Sequence, residues 1–313
     1  MSGGATGARR VGPVTRLRLA LGDIKLAHSV FALPFAVLGG ALVAPRDGAG
    51  GVLWGRSGAL LTLVVACMVV ARTWAMLVNR VADARLDADN PRTAARVFAS
   101  GTLTRRDGAA MLAACAAVFV GLTALFGLSF GNWWPLTLSV PVLAWIGVYS
   151  FTKRFTFLCH LFLGGALAAS PVAAAIAVDP SALAHAPGVW WIAGMVLCWV
   201  AGFDVIYALQ DLTHDRDAGL HSIPARFGWR GAAIGARLLH ILALGALIAA
   251  WTAEPRLGAP FGIAVVLTGG VLVWEHALLA RRGTRGIPVA FFTLNGIISL
   301  VLGVSGTLDA LVW

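Results

Sequence analysis

The sequence predicts an all-helical integral membrane protein, and three observations lead to that fold class. Hydrophobic residues make up 59% of the 313-residue chain, only 12% of the residues are charged, and the mean hydropathy is +0.83. Soluble domains carry about a quarter charged residues, so a water-solvated fold is excluded. Apolar segments of about 20 residues, the length of a membrane-crossing helix, follow one another along most of the chain.

Nine such segments are predicted to cross the bilayer. In chain order they cover approximately residues 26–44, 57–78, 109–127, 133–151, 155–178, 189–210, 232–251, 258–280 and 287–308. We therefore interpret residues 23–313 as one transmembrane domain and residues 1–22 as a flexible basic tail. The sequence predicts no oligomeric state.

The net charge of +10 could indicate a nucleic-acid partner or a membrane anchor. The positions of the basic residues distinguish the two. Among the 24 Lys and Arg residues, Arg46, Arg56 and Arg256 lie on one side of the predicted bundle, and Arg72 lies within the second segment. All the others lie in the N-terminal tail or around the loops after the second, fourth, sixth and eighth segments. This asymmetry follows the positive-inside rule. It predicts an inner (cytoplasmic) membrane protein with its N-terminus cytoplasmic and its C-terminus outside, anchored to the lipid bilayer without nucleic acid.

The acidic residues are concentrated at two places on the predicted cytoplasmic side. Eight of the 14 lie in two clusters: Asp83, Asp87, Asp89 and Asp107, then Asp204, Asp211, Asp215 and Asp217. A carboxylate at the centre of a membrane helix costs roughly 2.5 to 3.5 kcal/mol and less near the interface. Acids retained in such segments usually have a partner or a task.

The two clusters share one spacing. In each of them three polar residues stand at i, i+4 and i+8, which places them on one face of a helix: Asn79, Asp83 and Asp87, then Tyr207, Asp211 and Asp215. Facing carboxylate pairs repel each other unless cations lie between them. Oxygen ligands without thiolates or imidazoles favour Mg²⁺, which readily shares its ligand shell with phosphate oxygens. The pattern therefore predicts a magnesium and diphosphate site.

These motifs resemble the UbiA superfamily of intramembrane prenyltransferases. The resemblance rests on NxxxDxxxD at Asn79 to Asp87, DxxxD at Asp211 and Asp215, and YxxxK at Tyr149 and Lys153. It extends from IKLAHSVFALPF at Ile24 to ARFG at Ala225. The segments NPRTA, KRFT and GLHSIPARFG favour the 4-hydroxybenzoate polyprenyltransferase branch, including UbiA-like enzymes of the futalosine route to menaquinone. VFASG at Val97 departs from the proline-containing loop expected there.

The resemblance implies helices around a central cavity, with Mg²⁺ and a polyprenyl diphosphate at its cytoplasmic end. It implies transfer of the polyprenyl group to an aromatic acid in ubiquinone or menaquinone biosynthesis. The implied metal ligands are Asp83, Asp87, Asp211, Asp215 and Asn79. The same four acids are expected to act in catalysis with Lys153 and Tyr149, while Arg92, Arg96 and Arg226 are candidates for binding the diphosphate.

An aromatic acid acceptor needs a cation for its carboxylate. Lys25 and Arg72 are the candidates, although Lys25 also fits an interfacial anchor. Arg72 precedes Asn79 by seven residues and Asp204 precedes Asp211 by seven, so pairing of Arg72 with Asp204 competes with acceptor binding.

Two alternatives remain open at this stage. The acceptor could be 1,4-dihydroxy-6-naphthoate, a precursor of menaquinone, instead of 4-hydroxybenzoate. Intramembrane acids also occur in cation-coupled secondary transporters. The acids here cluster toward one membrane face, whereas alternating access favours a site at the midplane, and this difference favours an enzyme.

Overall fold

A computed structural model of the chain describes residues 12–24 and 31–312. Within these ranges the regular structure is helical, apart from one isolated β-bridge between Arg46 and Val52. The α-helices are α1 Pro13–Ile24, α2 Leu33–Ala41, α3 Trp54–Ala82, α4 Ala84–Asp89, α5 Arg105–Phe130, α6 Trp134–Thr152, α7 Cys159–Val178, α8 Pro187–Ala208, α9 Leu212–Asp217, α10 Ile223–Ala253, α11 Ala259–Arg282 and α12 Asn295–Val312. A π-helical segment, Val289–Leu294, precedes α12.

Eight helical segments of the described chain are long and apolar enough to cross a membrane. They are Trp54–Ala82, Arg105–Phe130, Trp134–Thr152, Cys159–Val178, Pro187–Asp217, Ile223–Ala253, Ala259–Gly286 and Val289–Val312. These match the second to ninth predicted segments and make the chain an integral, multi-pass membrane protein. The first predicted segment, 26–44, lies partly outside the described residues, and α2, its described helix, has only nine residues. The predicted number of nine is therefore not confirmed.

Helix α8 packs along both α7 and α10 and forms the centre of the bundle. Trp199 of α8 is buried. Close approach of α7 requires a glycine, because a Cβ added at Gly164 would lie 2.3 Å from the carbonyl oxygen of Leu197. Helix α2 approaches α7 in the same way, since a Cβ at Gly39 would lie 2.3 Å from the carbonyl oxygen of Pro171. Small residues thus let the backbones meet where apolar attraction between helices is weak.

The segment before the bundle differs from the predicted basic tail 1–22. Residues 13–24 form α1, whose Ala20 and Ile24 are buried in an apolar cluster. Arg16 pairs with Asp107 at 2.6 Å, and Asp23 pairs with Arg80 at 3.2 Å. The sequence did not reveal this helix because the high density of basic residues masks the apolar face that it buries.

The two acid-bearing helices end in the same way. Helix α3 stops at Ala82, yet Asp83 still donates its backbone N–H to the Asn79 carbonyl at 2.9 Å, and α4 resumes at once. Helix α8 passes through a short 3₁₀ turn, Leu209–Asp211, into α9. Because the helical direction is kept, each pair of predicted acids stays near one face, so both sets can reach the same space.

Candidate active site

Both predicted acid sets line one polar cavity of about 580 Å³. We name Asn79, Asp83 and Asp87 the first acid set, and Asp211 and Asp215 the second acid set. The lining includes the ends of α3, α6 and α8, the beginning of α7, the short helices α4 and α9, and the loop that follows α4. Residues far apart in the sequence therefore form a single chemical environment.

Asp83 is buried and neutralised by two neighbouring cations. Lys153 Nζ lies 2.8 Å from one of its carboxylate oxygens, and Arg154 Nη2 lies 2.9 Å from the other. The Asn79 side-chain amide also donates to Asp83, at 3.1 Å. Both basic residues follow α6, so packing of α6 against α3 brings the predicted YxxxK motif to the first acid set.

Asp87 has a cation of its own from the following loop. Arg96 Nη1 lies 2.8 Å from both oxygens of the Asp87 carboxylate. The same loop folds back because Thr93 donates its hydroxyl to the Asp87 carbonyl at 3.0 Å. Arg96 therefore lies beside the first acid set.

Asp211 is held by residues that come just after the first acid set. Arg92 donates from Nε at 3.0 Å and from Nη2 at 2.5 Å to the two Asp211 oxygens, and Asn90 donates at 3.2 Å. Arg92 also donates to the Tyr207 hydroxyl at 3.2 Å. Burial opposes the charge of Arg92, but these hydrogen bonds outweigh it and raise the pKa of the guanidinium. The two acid sets are thus physically linked across the cavity.

Asp215 has a weaker set of contacts. Its carboxylate accepts a hydrogen bond from the Ser222 hydroxyl at 3.2 Å and forms no ion pair with a described residue. Ser222 is also the N-cap of α10, since its side chain accepts from the backbone N–H of Ala225. The beginning of α10 is thereby tied to the second acid set.

The inner part of the cavity becomes apolar. An adjoining chamber of about 290 Å³ shares Arg72, Tyr149, Leu163 and Leu167 with the polar cavity, and its other walls are mostly aliphatic. Arg72 forms no ion pair with a described residue. Tyr149 lies at the same boundary. The arrangement provides a polar end for charged groups and an apolar chamber for a hydrocarbon chain.

The predicted pairing of Arg72 with Asp204 is not formed. Asp204 instead contacts His160 of α7, with Nδ1 of the ring 2.7 Å from Oδ2. Both residues line the polar cavity beside Arg72. Asp204 contacts His160 because α7 packs against α8 and brings the imidazole next to the carboxylate. The sequence spacing of Arg72 and Asp204 contains no information about that packing.

Aromatic side chains form one wall of the polar cavity. Phe203 lies 5.4 Å from Phe31 and 5.3 Å from Phe291, measured between ring centroids. Tyr207 stacks on Phe291 at 4.2 Å. Only Tyr207 among these was a candidate from the sequence. The phenylalanines carried no signal because an aromatic residue in an apolar helix fits ordinary packing equally well.

Two predicted site residues do not join the described site. Lys25 lies outside the described residues. Arg226 does not line the polar cavity, since its guanidinium lies 4.4 Å from the ring centroid of Phe157 and 5.4 Å from that of Phe227. Its position near the start of α10 directs it onto these rings by a cation–π contact. This separates Arg226 from the diphosphate candidates.

Three polar residues that contact the two acid sets were not predicted from the sequence. Arg154 contacts Asp83, Asn90 contacts Asp211, and Ser222 contacts Asp215. Each adjoins a motif that was noted: Arg154 follows Lys153, and Asn90 and Ser222 lie in the quoted loops. Their positions beside these motifs are the sequence feature that could have identified them as site residues.

The polar cavity contains the kind of donor atoms that a divalent cation such as Mg²⁺ binds. Within residues 12–24 and 31–312, no group of three or more His, Cys, Asp or Glu side chains is arranged as a ready metal site. The acid sets nevertheless supply only oxygen donors. Mg²⁺ usually takes one or two carboxylates and completes its shell with water and phosphate oxygens. The residues therefore fit Mg²⁺ together with a phosphate-bearing substrate.

Comparison with known proteins identifies the family. The model of the UbiA prenyltransferase family matches residues 32–297, which is most of the chain. The chain belongs to the UbiA prenyltransferase family. It is an aromatic prenyltransferase of the UbiA type, as the sequence resemblance implied, and family membership argues against the transporter alternative.

Two curated relatives of this UbiA-family chain carry the same name. The 4-hydroxybenzoate octaprenyltransferase of Shewanella sediminis is 30% identical over 239 residues, which cover 75% of this chain and 79% of that protein. The protein of the same name from Salmonella paratyphi C is 31% identical over 257 residues, covering 80% and 84% of the two chains.

Solved structures show the same fold. The apo structure of a UbiA homologue from Aeropyrum pernix superposes with a TM-score of 0.78 at 32% identity, covering 91% of this chain and 98% of that one. A UbiA homologue from Archaeoglobus fulgidus bound to GPP and Mg²⁺ gives a TM-score of 0.63 at 18% identity, covering 95% and 99%. At that lower identity the likeness concerns the fold alone.

Proposed function

We propose that this UbiA-type enzyme transfers a polyprenyl group from a polyprenyl diphosphate to a ring carbon of an aromatic acid of the 4-hydroxybenzoate type, in ubiquinone or menaquinone synthesis. One observation carries the proposal: acids and cations meet at one end of a cavity whose other end is apolar. The names of the curated relatives support this acceptor class.

The diphosphate lies at the polar end, where basic side chains from two segments converge. Lys153, Arg92 and Arg96 line the polar cavity and donate to its oxygens as negative charge develops. Asp83, Asp87, Asp211, Asp215 and Asn79 would hold the cation. Mg²⁺, when bound, neutralises the charge of the departing diphosphate as a Lewis acid.

The allylic fragment lies against the aromatic wall. Breaking its C–O bond leaves positive character on the allylic carbons, and an aromatic face stabilises a nearby cation by about 0.5 to 2 kcal/mol. Tyr207 and Phe291 present such faces, and Tyr149 lies where the apolar chamber begins. The apolar walls of that chamber exclude water, which would otherwise capture the cation.

Arg72 binds the carboxylate of the acceptor. It is a guanidinium within a membrane helix that faces the cavity without an ion-paired partner among the described residues. Such a cation is costly unless a carboxylate compensates its charge. Asp204 does not compensate the charge of Arg72, because its carboxylate contacts His160.

The charge distribution supports the orientation of the site. The polar cavity lies at the ends of α3 and α8, beside the basic segments 90–106 and 216–230, which include the loops after α4 and α9. The positive-inside rule places these loops in the cytoplasm. The diphosphate therefore enters from the cytoplasmic face of the inner membrane.

The central experiment measures prenyl transfer by the detergent-purified protein. Geranyl diphosphate is supplied with 4-hydroxybenzoate or 1,4-dihydroxy-6-naphthoate, and the product and released diphosphate are quantified with Mg²⁺ and with EDTA. We expect a prenylated product with one acceptor, loss of activity in EDTA and recovery with Mg²⁺. Absence of product with both acceptors, or cation-coupled uptake in liposomes without diphosphate release, would overturn the proposal.

The acceptor site is tested by Arg72→Leu. We expect the acceptor KM to rise by about 10- to 100-fold, because a hydrogen bond to a charged group contributes about 1.5 to 3 kcal/mol. The KM for geranyl diphosphate should stay unchanged. Arg230→Leu is the matched control, since Arg230 is exposed on α10 and does not line the polar cavity. A rise confined to the KM for geranyl diphosphate would show that Arg72 binds the prenyl donor and not the acceptor.

A further inference from the structure

The contact between His160 and Asp204 has no role in the steps described so far. His160 Nδ1 lies 2.7 Å from Asp204 Oδ2, and both side chains line the polar cavity. The imidazole is almost fully buried at 3% exposure, whereas the Asp204 side chain is 23% exposed. The carboxylate is thus the member of the pair that a substrate in the cavity can reach.

The hydrogen-bond pattern defines the tautomer of His160. The backbone N–H of Ile223 donates to His160 Nε2 at 3.3 Å, so Nε2 is an acceptor and carries no proton. A neutral imidazole then carries its proton on Nδ1 and donates it to Asp204. His160 therefore orients the Asp204 carboxylate through Nδ1 while its other ring nitrogen is held by the backbone of α10.

Asp204 differs from the other acids that line the cavity. Asp83, Asp87, Asp211 and Asp23 each form an ion pair with Lys or Arg. Asp215 belongs to the second acid set and lies four residues from Asp211. Asp204 has no cationic partner among the described residues apart from the imidazole. Its carboxylate is therefore bound neither to a described Lys or Arg nor to the site proposed for Mg²⁺.

Asp204 and Arg72 occupy corresponding positions relative to the acid sets. Asp204 precedes Asp211 by seven residues in α8, and Arg72 precedes Asn79 by seven in α3. Seven residues are about two helical turns, or roughly 10 Å. Each of them thus precedes an acid set by about two turns, and both line the polar cavity, where an aromatic ring held through its carboxylate at Arg72 would be.

We propose that Asp204 is the base that removes the ring proton of the acceptor, and that His160 positions it. The inference rests on the proposed prenyl transfer. The ring carbon forms a bond to the allylic carbon while the electron pair of the C–O bond leaves with the diphosphate. The reacting ring carbon is then tetrahedral and still bears hydrogen. Asp204 takes that proton, the C–H electrons restore the aromatic ring, and the proton later passes to water. The acceptor class is therefore one that carries hydrogen at its reacting carbon.

The test uses an acceptor deuterated at the ring carbons next to its hydroxyl group, with geranyl diphosphate as donor. We expect Asp204→Asn to slow transfer by about 10²- to 10⁴-fold, the usual contribution of a general base. The deuterium isotope effect on transfer should be larger than in the wild type, because proton removal becomes rate-limiting. Binding of geranyl diphosphate should stay unchanged. Asp217→Asn, an exposed position that does not line the cavity, is the matched control.

Positioning by His160 is tested with two variants that leave Asp204 in place. Glutamine can donate to Asp204 and accept from the Ile223 N–H, so His160→Gln should keep most of the activity. His160→Leu loses both bonds and should slow transfer and enlarge the isotope effect. These two variants still test the inference if Asp204→Asn does not fold.

The possible results separate the hypotheses. Wild-type transfer and isotope effect in both Asp204→Asn and His160→Leu would overturn the inference alone. Loss of geranyl diphosphate binding in Asp204→Asn would assign Asp204 to the diphosphate site and overturn it as well. No prenylated product from the wild type would remove the proposed function and this inference with it.

Discussion

The first and second acid sets have the same spacing but differ in how their charges are compensated. Asp83 and Asp87 are 2% and 7% exposed, and each has at least one cation within 2.9 Å. Asp211 is more exposed and is paired with Arg92, while the Asp215 carboxylate accepts from the Ser222 hydroxyl and forms no ion pair with a described residue. The first acid set is a compensated, buried cluster, whereas the second retains an unpaired carboxylate.

This difference shows which part of the site most needs a cation. Asp211 and Asp215 stand four residues apart, and like charges at that spacing repel each other. Arg92 relieves one of them and comes from the loop after the first acid set. Asp215, which forms no ion pair with a described residue, is therefore an electrostatic reason for a divalent cation to enter on this side.

The largest expected effect is the loss of turnover when an acid of either set is neutralised, and the accompanying change in thermal stability should distinguish the two sets. Asp83→Asn and Asp215→Asn should each lower kcat by at least about 10²- to 10³-fold, the cost of losing one preorganised electrostatic contact. The melting temperature should fall only in Asp83→Asn, because that change leaves Lys153 and Arg154 without a counter-charge. Turnover and thermal unfolding in detergent measure both quantities.

Asp89→Asn controls for the loss of a negative charge, since Asp89 is exposed and does not line the polar cavity. Equal losses of stability in Asp83→Asn and Asp215→Asn would show that the two sets are compensated alike. Normal turnover in either variant would remove that acid from the proposed site.

A smaller loss of kcat should distinguish the two basic residues that neutralise Asp83. Lys153 lines the polar cavity, whereas Arg154 does not. We expect Lys153→Met to lower kcat by about 10²-fold with an unchanged acceptor KM. Arg154→Met should lower it by about fivefold at most, as for a partly exposed ion pair. Steady-state kinetics with each substrate varied in turn measure both effects. A change confined to the KM for the acceptor would instead place Lys153 in the acceptor-binding site.

The smallest effect concerns the link between the sets. Tyr207→Phe removes the hydroxyl that accepts from Arg92 but keeps the stacking on Phe291. One hydrogen bond contributes about 0.5 to 1.5 kcal/mol, so kcat should fall by roughly two- to tenfold. Tyr207→Leu also loses the aromatic face and should fall further. If Phe and Leu were equivalent, the aromatic face would contribute nothing to the reaction.

The local patterns could be predicted because their physical cause is local. Asp83 and Asp87, or Asp211 and Asp215, are brought together by the pitch of one helix, and the apolar segments follow from the thickness of the bilayer. The basic loops are likewise visible as runs of sequence. For this reason the second to ninth predicted segments coincide with helices of the structure.

The long-range contacts could not be predicted in the same way. Arg92 and Asp211 are 119 residues apart, and Arg154 and Asp83 are 71 apart. Their meeting depends on which helices pack together, and periodicity contains no information about that. Arg226 shows the converse, because a basic residue in a promising loop lies instead over an aromatic ring.

By itself, the sequence determined that this chain enters a bilayer and which acids stand side by side on each helix, since hydropathy and helical pitch act within a single segment. The tertiary structure alone decided which cation meets each acid, that Asp204 contacts His160 instead of Arg72, and that polar and apolar cavities adjoin. The reason is that a buried charge takes its partner from whichever neighbouring helix the packing brings within reach.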